Sequence, residues 1–136
     1  MTPQSCRCLC GAVTFRATPA KPEMGACHCG MCRHWSGGVF FGVDCTGPIE
    51  FASEEALGVY ASSDYGERCF CKQCGSTLIW RMRDGSHAVV SVQAFPDPGA
   101  FRFASEIFID EKPDSYSFAN DTKRMSGAEF IAQFMS

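Results

Sequence analysis

Three short cysteine clusters constrain this chain more than anything else in it. They read Cys6-Arg7-Cys8-Leu9-Cys10-Gly11, Cys27-His28-Cys29-Gly30-Met31-Cys32 and Cys69-Phe70-Cys71-Lys72-Gln73-Cys74-Gly75. Thiols two or three positions apart close poorly on one another as disulfides but suit a shared metal ion. In an extended segment, side chains two apart leave the same face, so Cys8 and Cys10 point one way together, as do Cys27 and Cys29. Cys71-Lys72-Gln73-Cys74-Gly75 has the form of a zinc knuckle. Its i, i+3 spacing wraps two sulfurs round one ion, and the glycine permits the tight turn. The outer clusters therefore predict one closed, structural zinc site of four thiolates: Cys8, Cys10, Cys71 and Cys74. Such a site carries about −2 formal charge and calls for nearby donors, for which Arg7, Arg68 and Lys72 are adjacent in sequence.

The middle cluster offers three sulfurs, Cys27, Cys29 and Cys32. Without a fourth protein ligand, one position stays open for water or substrate, as in catalytic zinc sites. His28, His34 and Cys45 are the candidates for closing it. His28 stands between two ligands, so its side chain is expected to face away. His34 and His87 read as ordinary polar or core histidines. Cys6, Cys45 and Cys69 are left over and read as small apolar residues, although Cys69, two before Cys71, competes for a ligand role.

At 136 residues the chain suits one domain, 1–136, and with 46% hydrophobic residues it can bury a core, so metal is not needed merely to offset small size. The first residues lack the basic patch and apolar run of a signal peptide, and no apolar stretch approaches the ~20 residues that span a bilayer. Clustered reduced thiols then point to a cytoplasmic protein. The net charge is −3 with Lys and Arg scattered singly, which argues against a nucleic-acid partner.

Alternation over Ala12–Thr18 predicts a strand, and the prolines at 19 and 22 a loop. A helical turn is expected over His28–Trp35, ended by Gly37-Gly38. Val39–Val43 and Ile49–Phe51 read as strands separated by a Gly47-Pro48 turn. Leu57–Tyr60 and Thr77–Met82 are further strands. Asp84-Gly85 turns the latter into a hairpin with His87–Val92. Glu106–Asp110 reads as a strand stopped by Lys112-Pro113. Ser126 and Glu129 form a capping box ahead of a short helix, on which Phe130, Ile131 and Phe134 share a face. The sum is a mainly β protein of short antiparallel sheets with a short C-terminal helix.

Cys8-Leu9-Cys10-Gly11-Ala12-Val13, Cys27-His28-Cys29-Gly30-Met31-Cys32 and Phe70-Cys71-Lys72-Gln73-Cys74-Gly75, with Glu106-Ile107-Phe108-Ile109 and Lys112-Pro113 late in the chain, resemble the glutathione-dependent formaldehyde-activating enzyme family over roughly residues 6–118. The resemblance implies an Mss4-like zinc fold and two zinc ions, a structural one on Cys8, Cys10, Cys71 and Cys74 and a catalytic one on Cys27, Cys29 and Cys32. It also implies a carbon–sulfur lyase that adds glutathione to formaldehyde to give S-hydroxymethylglutathione. Arg33, Arg68 and Lys72 are candidate anchors for the carboxylates of such a thiol. Ser115-Tyr116 stands where many members carry a tryptophan. Two other classes fit the residues: a non-catalytic zinc-stabilised binding module, and a thiol–disulfide oxidoreductase, which lacks its expected βαβ pattern.

Overall fold

The computed structural model describes the backbone of residues 1–135 and side chains through Phe134. Ten strands form one continuous sheet. In chain order they are β1 (Gln4–Arg7), β2 (Thr14–Pro19), β3 (Glu23–Cys27), β4 (Phe40–Phe51), β5 (Leu57–Ala61), β6 (Gly66–Cys71), β7 (Thr77–Met82), β8 (Ala88–Ser91), β9 (Arg102–Ile107) and β10 (Lys123–Met125). The path runs β10-β9-β3-β4-β8-β7-β6-β5, and β1 joins through β2, which pairs with β4. Two helices are added: α1 (Gly30–Ser36) and α2 (Gly127–Met135). The mainly β expectation holds.

The twelve residues of β4 make it the hub. Its first part pairs with β3 and β8, and its last part with β2. Gly47-Pro48 is therefore not a turn between two strands. Arg16 faces Glu50 and Thr18 faces Thr46, so three β4 residues lie opposite the single Ala17. This is a bulge, and Gly47 takes the positive φ (73°) that it requires. A proline, which has no N–H to donate, is tolerated at such a site. Bulge and turn carry the same sequence signature, and only the partner strand tells them apart.

The second departure is at β9. The strand lies at Arg102–Ile107 rather than 106–110; Phe108 turns left-handed (φ 55°), and Ile109–Glu111 is a short 3-10 turn. β9 pairs parallel with both β3 and β10, so the sheet is mixed rather than wholly antiparallel.

Other expectations hold. Gly37 caps α1 with a left-handed φ of 71°. The Asp84-Gly85 turn closes the β7–β8 hairpin, with Met82 N–H donating to His87 O at 2.9 Å. The Ser126/Glu129 capping box is reciprocal, at 3.1 and 2.9 Å. The face of α2 is narrower than expected. Phe130 packs toward Phe108 and Phe134 against His87, while Ile131 is 53% exposed. Cys6, Cys45 and Cys69 are buried in the apolar core, and burial pushes their thiols up to about 12, 12 and 11. They are apolar filling, as expected. No helix among the described residues is long and apolar enough to cross a membrane.

Candidate metal centres

The sheet brings the cysteines together in two groups, Cys8/Cys10/Cys71/Cys74 and Cys27/Cys29/Cys32, and within each group all sulfurs lie within 4.8 Å of one another. All ten cysteines are free thiols, so no disulfide framework exists.

In the four-sulfur group, Cys8 follows β1, Cys71 ends β6, and Cys10 and Cys74 lie in the adjoining turns. Cys10 Sγ is 3.7 Å from both Cys8 Sγ and Cys71 Sγ. Sulfurs at ~2.3 Å from a tetrahedral ion stand about 3.8 Å apart, so the donor set fits an enclosed metal ion. Neutral donors surround it. Val13 N–H donates to Cys8 Sγ at 3.3 Å, and Cys74 N–H to Cys71 Sγ at 3.4 Å. The Ser76 hydroxyl, 3.1 Å from Cys74 Sγ, is the first cause holding that thiol at about 5, well below its ordinary range. Arg7 braces the turn through the carbonyls of Cys8 and Leu9 rather than through sulfur, and Lys72 is exposed. Arg68 is not here at all.

The three-sulfur group sits where β3 runs into α1. Cys27 ends the strand, Cys29 is the N-cap of the helix, and Cys32 lies buried in its first turn. Cys32 N–H donates to Cys29 Sγ at 3.4 Å, the same bond the 71/74 pair makes. Cys29's thiol is pulled far down, first by donation from Cys27, then from Cys32, with Arg68's charge adding to this against the opposing effect of burial. Among the described residues, no His, Asp, Glu or fourth Cys joins this cluster. His34 bonds the Gly30 carbonyl, His87 lies against Trp80 and Phe134, and Cys45 is in the core. Both groups could hold a metal ion; one is complete in protein donors and the other has a side left open.

His28 does face away from the sulfurs, and what it faces was not legible in sequence. It is fully buried, with Nε2 2.8 Å from Glu106 Oε1 and Nδ1 2.8 Å from Tyr116 Oη. Glu106, on β9 and 1% exposed, also accepts from Thr122 Oγ1 at 2.6 Å and Arg124 Nε at 3.3 Å. Burial raises the Glu106 carboxyl, but donation from Thr122, His28 and Arg124 outweighs it and holds the group below its ordinary 4.5. A carboxylate can only accept, so His28 Nε2 carries a proton. The network ties the residue between two cysteines to β9, the strand beside β3, and to Tyr116 beyond it in the chain. No local sequence signal marks it, because Glu106 and Tyr116 stand 78 and 88 positions from His28.

Removing Glu106 leaves the buried His28 Nε2–H without an acceptor, while Arg124 is exposed and can turn to water. Glu106→Ala is expected to lower stability by about 1–3 kcal/mol in chemical denaturation, the usual cost of leaving a buried donor without its acceptor. The pH dependence follows from the depressed carboxyl. Its contribution is complete above pH 4.5 and is lost as pH falls through the lower folded value. Denaturation curves between pH 3 and 7 should show Glu106→Gln lacking this part of the acid dependence.

A mainly β chain with one four-sulfur cluster and one three-sulfur cluster, each able to hold a metal ion, defines a class of thiol-rich candidate metal-binding proteins. Over residues 3–111 it matches the family described as glutathione-dependent formaldehyde-activating enzyme, and it belongs to that family. A protein of Schizosaccharomyces pombe named as an uncharacterized lyase is 37% identical over 125 residues, 91% of each chain. A Halomonas elongata protein, provisionally named a glutathione-dependent formaldehyde-activating enzyme, is 31% identical over 80 residues, covering 52% of this chain and 51% of its own. A crystal structure of a Rhodobacter sphaeroides protein shares the fold, with a TM-score of 0.59 and 19% identity over 68% of this chain and 87% of that one.

Proposed function

We propose that the chain is a single zinc-binding domain and a carbon–sulfur lyase-type enzyme, with a structural zinc on Cys8, Cys10, Cys71 and Cys74 and a catalytic zinc on Cys27, Cys29 and Cys32. It adds the thiol of glutathione to formaldehyde. A carbon–sulfur bond forms, the carbonyl π bond breaks, and the thiol proton ends on the former carbonyl oxygen of S-hydroxymethylglutathione. The observation that carries this reading is the contrast between the clusters: four sulfurs enclose one volume, while three leave theirs without a fourth ligand atom. Family membership and the names of its relatives support the reaction class.

Zinc bound at the trio supplies thiol deprotonation, and three thiolate donors leave the incoming sulfur nucleophilic rather than making a strong Lewis acid for the carbonyl. The rest belongs to the chain. Cys27 and Cys29 are fixed on either side of a histidine locked by Glu106 and Tyr116. Cys32 is fixed by the first turn of α1. Of the three candidate anchors for a substrate carboxylate, Arg68 is buried and turned to Cys32, and Lys72 follows the other cluster. Arg33, half-buried one residue past Cys32 with Nε on the His28 carbonyl, is the one left to anchor the thiol substrate. Ten reduced thiols suit a cytoplasmic setting.

Two measurements test the reading together. Metal analysis should give two zinc ions per chain. Added protein should raise the rate at which glutathione and formaldehyde form adduct above the spontaneous rate. A single ion per chain, or a rate equal to the protein-free control, would rule this function out.

A further inference from the structure

Arg68 is a buried cation that the fold leaves without a carboxylate. It stands on β6 and is 5% exposed. Among the described residues, no Asp or Glu forms an ion pair with it, although its neighbour Glu67 pairs with Arg81 at 3.0 Å. A guanidinium stays charged at any pH the protein meets, and an unpaired ion is strongly unfavourable in the interior. What Arg68 has instead is sulfur and an aromatic face. Nη1 donates to Cys32 Sγ at 3.5 Å, and the guanidinium carbon lies 4.9 Å from the centre of the Trp35 ring. Trp35 is on the same helix as Cys32 and packs on Phe40, and its carbonyl accepts from Thr77 Oγ1 at 3.5 Å. The cation is thus clamped between a fixed ring and the three-sulfur cluster.

The other cluster has no such partner. Its contacts are neutral N–H and O–H groups, its nearest arginine goes to carbonyls, and Cys10 is exposed, so water can screen its charge. A divalent ion on three thiolates carries about −1, and an incoming thiolate brings it to about −2. At a site where Cys32 is buried, solvent does less of that screening.

We propose that Arg68 is a positioning residue for the three-sulfur centre, supplying the charge that lets the centre retain its metal and accept an anionic thiolate as fourth ligand. This rests on the zinc assignment above. It also takes Arg68 out of the set of carboxylate anchors, because its charge is spent on Cys32.

The test is chelator competition on the full, zinc-loaded protein, comparing wild type with Arg68→Gln and Arg68→Lys. The four-sulfur centre serves as internal control, and melting curves are recorded alongside. In Arg68→Gln the ion of the middle centre should leave at about tenfold or more lower chelator concentration, the usual scale for losing a group that supports a ligand. The outer ion should leave as in wild type, and Arg68→Lys, which brings a positive charge without the planar fork, should keep its middle ion within about threefold of wild type. Unchanged retention in Arg68→Gln would overturn the proposal. So would an Arg68→Lys protein as leaky as Arg68→Gln, because planar packing and not charge would then matter. If Arg68→Gln loses both ions and its melting transition, Arg68→Lys decides alone: retention supports the proposal and loss overturns it. A wild-type protein holding only the outer ion would instead overturn the zinc assignment and this proposal with it.

Discussion

Cys71→Ser is expected to cost the protein much of its fold. Cys71 is fully buried at the end of β6, and its sulfur lies 3.7 Å from that of Cys10, 61 residues earlier in the chain. An ion shared between them closes a long loop. By the arithmetic that applies to any cross-link of that span, this contributes ~4 kcal/mol through the unfolded chain alone. Against a total stability of about 5–15 kcal/mol for a domain, that is a large share. The thermal midpoint should fall by about 10–20 °C, with loss of metal from this centre. Differential scanning calorimetry with metal analysis checks it. A midpoint within a few degrees of wild type would mean that the four sulfurs do not clip the segment after β1 to the end of β6.

Cys32→Ser should do the reverse: lose the function and keep the fold. The middle centre closes no long loop, because its three sulfurs fall within six residues of one another. Its loss leaves the sheet and the other centre in place. The expected protein holds one metal ion per chain and forms adduct no faster than the protein-free control. Some stability is still lost. The Arg68 guanidinium would face a hydroxyl in place of a thiolate, and an under-satisfied buried partner costs about 1–3 kcal/mol. The thermal midpoint should therefore fall, but by less than in Cys71→Ser. Two ions still bound in Cys32→Ser would show that Cys32 is not a ligand.

The two variants separate roles that the cysteine spacing already distinguished. Pairs at i, i+2 and i, i+3 are local geometry, so sequence alone could say which sulfurs face together. The same holds for the Gly37 cap, the Asp84-Gly85 hairpin and the Ser126/Glu129 capping box, each closed within a few residues. Reading failed where the same residues serve two geometries. Gly47-Pro48 marks a turn or a bulge with equal ease, and β2 opposite is what makes it a bulge. The same holds at β9, whose parallel pairing with β3 sets Ala26 beside Glu106, 80 positions further along the chain.

What the sequence by itself determined is the chemistry: thiols in sets that favour a shared ion over a disulfide, an alternating β pattern, and the local turns that present those thiols. What only the tertiary structure decided is the company each side chain keeps. Arg68 follows the residue order toward Cys69 and Cys71, yet its charge lies on Cys32; His28 sits between two cysteines, yet bonds Glu106 and Tyr116, 78 and 88 positions away. The physical reason is that backbone periodicity sets which way a side chain points within a few residues. What it then meets depends on which strands the sheet sets side by side, and a buried charge or imidazole must find its partner there.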